Sequence, residues 1–481
     1  MGYEPKLGKK FIQFDFRSFG LGLIVGCLLV STTYISLFRT DMDLVALWKS
    51  SQRASPTATE TLTGLSRLGK QHGNVTREGE TATKNFLSTR NKSEGRRQPI
   101  CDLSQYRTDI CDIQGDIRIV WNGSSPVTLV NPPGTSRTSE SWEIKLYARK
   151  ADRRVIRRVP KVKVKSLHGD QVEESPHCSV THAVPGVVFA TTGYVGNIFH
   201  DFSDVLIPLF QTTRQFKGQV QFLIANNKPW WIRKYHHVLN ELSAYNFINL
   251  ENDDRVHCFE HAIVGLQADK DLMIDTAKSP EGLSMVDFVQ LLRSAYSLKR
   301  ARPWPAGKEP GRRPRLLFIS RGRSRRFMNL DEIVPVAEEV GFEVVSAEPK
   351  FMDVAKFAET VNSVDVMVGV HGAGLTNMVF LPTDAILIQV VPLAKLDWIA
   401  EHYYAMPALG MKLRHLQYNI TTEESTLIQQ YPRDHAVFTD PDSIRKEGWQ
   451  KMAKIYLVEQ NVRLDKDRFR GVLKEAIELL N

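Results

Sequence analysis

Three short stretches of this 481-residue chain carry residue types whose spacing can do chemistry. In Gly193–Asp204, His200 and Asp204 stand four apart, so on a helix they share one face. A carboxylate beside an imidazole fixes its tautomer and raises its basicity, as general-base catalysis requires. The same pair also serves as a structural hydrogen bond at a helix start, and Asp201 is a rival base. In Phe318–Phe327, Arg321, Arg323, Arg325 and Arg326 follow an apolar strand, where guanidinium forks can hold a diphosphate. A solvated basic loop is the bland alternative. In Val364–Asn377, a Val-rich run breaks into His371-Gly372-Ala373-Gly374-Leu375, with Asn377 just beyond. Glycines there let the backbone approach a ligand, and the N–H groups opening the following helix, Leu375–Leu381, suit a phosphate. A tight turn packing helix on strand would look the same.

Elements must position these residues at one place. Apolar runs predict strands at Val187–Thr192, Val220–Ala225, Leu316–Ser320, Phe342–Ser346, Val364–Val370 and Ala385–Val391. Helical patterns lie between them, among them Asn197–Phe216 and Trp230–Tyr245. Such alternation is α/β, with parallel sheets covered by helices. Ligands of such sheets bind beyond the strands' carboxyl ends, where all three stretches fall. The Pro/Gly/Arg-rich break Lys299–Pro314 divides the body. The expected plan is two Rossmann-like domains facing a cleft, at 100–305 and 306–440, then closing helices at 441–481 (Asp440–Val462 and Asp465–Leu480).

Phe19–Phe38 holds 20 residues without a charge, enough for a helix spanning roughly 30 Å of bilayer. Lys6, Lys9, Lys10 and Arg17 precede it, so the positive-inside bias leaves 1–18 cytosolic and the body lumenal. The tract 39–99 reads as a disordered stem: Ser50–Ser93 has 14 Ser or Thr in 44 residues and one aromatic, too little apolar area to offset ordering entropy. Asn74, Asn91, Asn122 and Asn419 begin glycosylation sequons. Besides Cys27 in the apolar segment, four cysteines remain, and four allow three pairings. Cys101–Cys111 with Cys178–Cys258 is preferred, against four reduced thiols.

Net charge is +9, which favours anionic partners, while the anchor and sequons argue against nucleic acid. Arg149–Lys165 carries nine Lys or Arg against Asp152. It reads either as a contact surface for an acidic polymer or, preferably, as a strand edge whose lysines discourage pairing. Asp-x-Asp pairs occur at Asp41/Asp43, Asp269/Asp271, Asp440/Asp442 and Asp465/Asp467. None closes an apolar strand, where a metal-held diphosphate needs carboxylates, so no metal is expected.

At Asn197–Asp204, Ile319–Arg325 and His371–Pro382 the chain resembles glycosyltransferase family 61, specifically its plant Golgi enzymes. The three motifs in order are far more specific than any one, and the likeness runs from about Cys101 to the C-terminus. It implies an inverting, metal-independent transferase of the GT-B fold using a UDP-sugar, anchored in the Golgi membrane by a single type II span. Arg321, Arg325, His371, Gly372, Ala373, Gly374, Leu375 and Asn377 carry over as donor contacts, and His200 and Asp204 as the His-x-x-x-Asp of the acceptor cleft. Pro407–Lys412 and Tyr431–His435 extend the likeness toward the grass-expanded group that decorates xylan with arabinofuranose or xylose. Enzymes acting on N-glycans or protein belong to the same family. A non-catalytic scaffold in a complex of xylan-synthesising enzymes is the alternative of another class.

Overall fold

Two sheets, each built around fully buried strands, position the site. The computed structural model describes residues 100–121, 126–130, 140–304 and 311–481. The expected cytosolic tail, anchor and stem, and the sequons at Asn74, Asn91 and Asn122, lie outside these residues. Among the described residues, no helix is long and apolar enough to cross a membrane. Residues 101–481 fall within one compact unit.

The C-terminal sheet is parallel throughout, in the order Glu343–Ala347, Arg315–Ile319, Val366–Val370, Ile386–Val391, Arg414–Asn419. Every residue of the third and fourth strands is buried, which is why they read as unbroken apolar runs. Arg414–Asn419 is an edge strand with a mostly polar sequence and only Tyr418 buried, and its pattern announces nothing. Helices Leu330–Val340 and Lys466–Leu480 pack on this sheet through Ile333, Val336, Phe469 and Leu473, against Phe318, Val368 and Ile388. The expected closing helix at Asp440–Val462 is instead three short pieces, Pro441–Lys446, Trp449–Ala453 and a π-helical Lys454–Glu459. Gly448, at φ +111°, separates the first two, because a left-handed residue ends a helix.

The N-terminal sheet has ten strands and is mixed. Its parallel part, His257–Val264, Gly186–Ala190, Gln221–Ala225 and Ile248–Asn249, contains both strands expected here. Antiparallel Ile110–Ile119 extends it, followed by Pro126–Val130, Lys161–Leu167 and Ser141–Lys145. This half therefore departs from a wholly parallel sheet. Disulfides join Cys101 to Cys111 and Cys178 to Cys258, the first pinning a short strand to Ile110–Ile119 and the second tying the chain before Val180 to His257–Val264.

The edge-strand reading of Arg149–Lys165 is corrected. Lys161–Leu167 is paired on both sides, and the edge is Ser141–Lys145. Lys161, Lys163 and Lys165 alternate with buried Val162, Val164 and Ser166, so they solvate a face. Arg149, at the start of that run, turns inward to the site.

Candidate functional site

The helical segment after Gly186–Ala190 changes pitch at the residues of interest. Asn197 caps it by accepting from Phe199 N, and Asp201–Leu206 form a π-helical turn before α-helix resumes at Ile207–Thr213. Such widened turns are frequent at functional sites. His200 Nδ1 lies 2.8 Å from Asp204 Oδ2. Asp204 is buried and also accepts from Tyr147 Oη at 2.7 Å, Arg149 Nε at 3.0 Å and Arg107 Nη2 at 3.0 Å. Burial alone would raise its pKa, but Arg149, His200 and Arg107 more than reverse this and hold the carboxyl well below the usual range. An ionised Asp204 can only accept. The imidazole proton therefore sits on Nδ1, and Nε2 is left to take a proton from elsewhere.

Asp271 completes the node. It bonds Arg107 at 2.6 Å and Arg149 at 2.7 Å, so two guanidinium groups face two carboxylates. Ser203 Oγ also donates to Asp271, at 3.0 Å.

Asp201 is placed differently. It is fully buried, and its oxygens accept from Gly196 N, Trp231 Nε1, Lys234 Nζ and Tyr235 Oη at 2.7–3.0 Å. With four donors in place it locks the turn before the helix onto helix Pro229–Leu242, and it has little capacity left for a substrate proton.

The other stretches meet at the carboxyl ends of Arg315–Ile319 and Val366–Val370. Arg325 Nη1 donates to His371 O at 2.8 Å, and Arg321 Nε to Ser324 O at 3.0 Å. Arg325 adopts φ +53°, a strained backbone of the kind that collects at functional sites. Burial lowers the Arg321 pKa, and Arg321 has no ion-pair partner among the described residues. A desolvated cation of this sort gains from an anionic ligand. The following helix is a 3-10 turn, Ala373–Phe380, rather than the α-helix expected. Asn377 is buried and donates to Gly374 O. Leu375 is in the core, its methyl against Gly369, so it supports the turn from behind.

Gly372 shows how closely the groups fit. Its φ is +141°, and a Cβ there would lie 2.4 Å from Arg325 Nη1 and 3.2 Å from Arg321 Nη1. Both are tips of flexible side chains and can move, but the backbone conformation is one that L side chains rarely adopt, so Gly372→Ala strains the turn as well as displacing the guanidinium groups. We expect it to weaken UDP binding by about 10-fold or more, read by calorimetry. Unchanged affinity would overturn the expectation that these arginines hold a diphosphate.

His371 is held in the opposite tautomer to His200. Gln389 Oε1 accepts from His415 Nε2 at 2.9 Å, and Gln389 Nε2 donates to His371 Nδ1 at 2.8 Å. His371 Nε2 is thereby left as a donor. Burial, with Arg325 and Arg321 adjacent, lowers its pKa from 6.5 to about 3, so the ring stays neutral. The sign for stability follows by linkage. Below pH 6.5 the unfolded chain takes up a proton that folded His371 refuses, so this contribution falls as pH falls from 6.5 to about 3. Asp204 adds acid sensitivity lower down: its contribution is present above its ordinary 3.8 and is lost as pH falls through its depressed folded value. Denaturation midpoints should drop across this range, with a flatter slope for His371→Asn between pH 6.5 and 4. Equal slopes would contradict the buried neutral imidazole.

An aromatic chain connects the two histidines. His200 packs on Phe199, Phe199 on Tyr404, and Tyr404 on His371, with ring centroids 5.3, 6.2 and 5.3 Å apart. Beside it a cavity of about 310 Å³ is lined by Lys234 and Ile198 from one side and Arg321, Ser324, Glu348 and Gly374 from the other. Among the described residues, no group of three or more His, Cys, Asp or Glu is arranged to hold a metal ion. Asn419 is exposed at the edge strand, with its amide donating to Asp397.

Sequence reasoning missed Arg107, Tyr147, Asp271 and Gln389. The first three come from separate segments; Arg107 and Tyr147 carry no local pattern, and Asp271 stood in an Asp-x-Asp weighed only as a metal ligand. Gln389 had a signal: it is the one polar residue in the apolar run Ile386–Val391.

The chain is similar to several characterised plant proteins. It is 48% identical over 389 residues to the alpha-1,3-arabinosyltransferase XAT2 of Oryza sativa subsp. japonica, covering 81% of this chain and 66% of that one. It is 43% identical over 394 residues to the beta-1,2-xylosyltransferase XYXT1 of the same organism, covering 79% and 84%. It is 37% identical over 388 residues to the xylan glycosyltransferase MUCI21 of Arabidopsis thaliana, covering 78% of each. The family model Glycosyltransferase 61 matches residues 198–388, a span that runs from the start of the His200 helix to the strand bearing Gln389, and the chain belongs to that family.

Proposed function

We propose that this protein is an inverting, metal-independent pentosyltransferase of the GT-B type, moving arabinofuranose or xylose from a UDP-sugar onto xylan. The observation that carries the proposal is the pairing of two histidines in opposite tautomers at the ends of one aromatic chain. The similar arabinosyl- and xylosyltransferases support a pentose as the sugar. In this reading His200 Nε2 takes the proton of an acceptor hydroxyl whose oxygen attacks the anomeric carbon. UDP departs from the opposite face, and its developing charge falls on Arg321, Arg325 and the His371 Nε2–H. Preorganised donors of this kind are usually the largest catalytic contribution. The arginines stand where metal-dependent enzymes place carboxylates, which supports metal independence. The cavity between the two sheets is the donor cleft of two facing domains. The apolar segment at 19–38 supports placing the protein in the Golgi membrane with its body lumenal.

A donor screen tests this. The detergent-solubilised full chain is offered UDP-arabinofuranose, UDP-xylose and UDP-N-acetylglucosamine separately with xylo-oligosaccharide, with and without chelator. Pentose transfer that survives chelator is expected. Transfer of N-acetylglucosamine alone, or UDP binding without any transfer, would overturn the reading.

A further inference from the structure

A second cavity, of about 650 Å³, opens beside the candidate base, lined by Arg154, Arg157, Arg158, Gly193, Tyr194 and Gln450. Its volume is that of a ligand pocket, about 300–1,000 Å³. Tyr194 joins it to the site: its ring lies 4.7 Å from that of His200, and its hydroxyl donates to Asp152 Oδ2 at 2.8 Å. Asp152 Oδ1 in turn caps the short helix Arg153–Ile156 by accepting from Arg154 N and Val155 N. The carboxylate nearest the arginines in sequence is thus already engaged on both oxygens. None of Arg154, Arg157 and Arg158 forms an ion pair among the described residues, and Arg154 Nη1 is buried without a hydrogen-bond partner.

The buried donor of Arg154 left unmade is unfavourable until a partner arrives, and the exposed Arg157 and Arg158 on the same lining add positive charge that favours an anion there. The donor's charge is accounted for elsewhere, at Arg321 and Arg325. A neutral pentose chain would leave all three guanidinium groups without a counter-charge. We propose that this cavity is an acceptor subsite for a carboxylate-bearing sugar, so that the enzyme acts beside a uronic acid branch of its glycan. The inference rests on the reading of His200 as the acceptor's base. A planar carboxylate matches the guanidinium fork, and Tyr194, which lines the cavity and packs on His200, places such a branch next to the accepting hydroxyl.

The test is a binding measurement without donor, on the full chain in detergent, comparing a xylo-oligosaccharide bearing a methylglucuronic acid branch with the unbranched one. The branched compound should bind about 10- to 100-fold more tightly, and the advantage should shrink with salt. Arg157→Gln with Arg158→Gln, both exposed positions, should reduce it, and adding Arg154→Gln should abolish it. Equal affinities in the wild type would overturn the proposal, as would an advantage that survives in the triple variant with an unchanged unfolding midpoint. So would loss of binding to anionic vesicles, rather than to the branched sugar, in that variant. Because no donor is present, failure of the transferase reading shows separately as absent turnover.

Discussion

His200→Ala is expected to lower kcat by about 10²- to 10⁴-fold, the usual worth of a general base. Its affinity for UDP should stay within about twofold, because the loss falls on the transition state rather than on donor binding. His200 is buried, yet Nδ1 is spent on Asp204 and Nε2 is not. Arg321, Arg325 and His371 sit across Phe199 and Tyr404 from it and keep their own partners. The decisive pair of measurements is initial rate and calorimetric UDP affinity on the same preparation. Near-normal turnover would exclude His200 as the base. Asp201 is a poor substitute, since Gly196, Trp231, Lys234 and Tyr235 already occupy its oxygens.

Asp204→Ala should act on stability as well as rate. It leaves Arg107 and Arg149, whose side chains are 7% and 15% exposed, with Asp271 as their only carboxylate. Removing one partner of a buried ionic cluster costs about 3–5 kcal/mol, readable as a shift of the denaturant midpoint. His200→Ala leaves both arginines and both carboxylates of the node in place and should move that midpoint much less. If Asp204→Ala unfolds at the wild-type denaturant concentration, the node is solvated and the energetic account fails.

The C-terminal sheet was legible because its three central parallel strands are buried almost throughout, so position and apolar sequence coincide to within a residue or two. The exceptions are instructive. Arg414–Asn419 is an edge strand, where burial imposes no pattern, and Gly448 interrupts what composition reads as one helix. The N-terminal half was less legible. Two of its parallel strands, Gly186–Ala190 and Gln221–Ala225, were found, whereas His257–Val264 and Ile248–Asn249 were not, and the antiparallel extension depends on pairings between distant segments that no local period encodes. The same holds within the site. His200 and Asp204 are visible as neighbours on a helix. Arg107, Arg149 and Asp271 become neighbours of Asp204 only after the sheet has formed. Arg149 was hidden inside a basic run that looked like solvated surface, and Asp271 inside an Asp-x-Asp judged only as a metal ligand.

That cluster has a kinetic consequence. Its members are separated by 55 residues from Arg149 to Asp204, by 97 from Arg107 to Asp204 and by 164 from Arg107 to Asp271. Closing loops of such length is entropically costly and is rewarded only once the intervening strands have paired. The node is therefore expected to assemble late, after the folding barrier has been crossed. Interactions absent from the transition state govern how fast a chain comes apart and leave its rate of formation nearly untouched. On that expectation Asp204 and its arginines act as a latch on the finished candidate site, setting its lifetime in the folded chain.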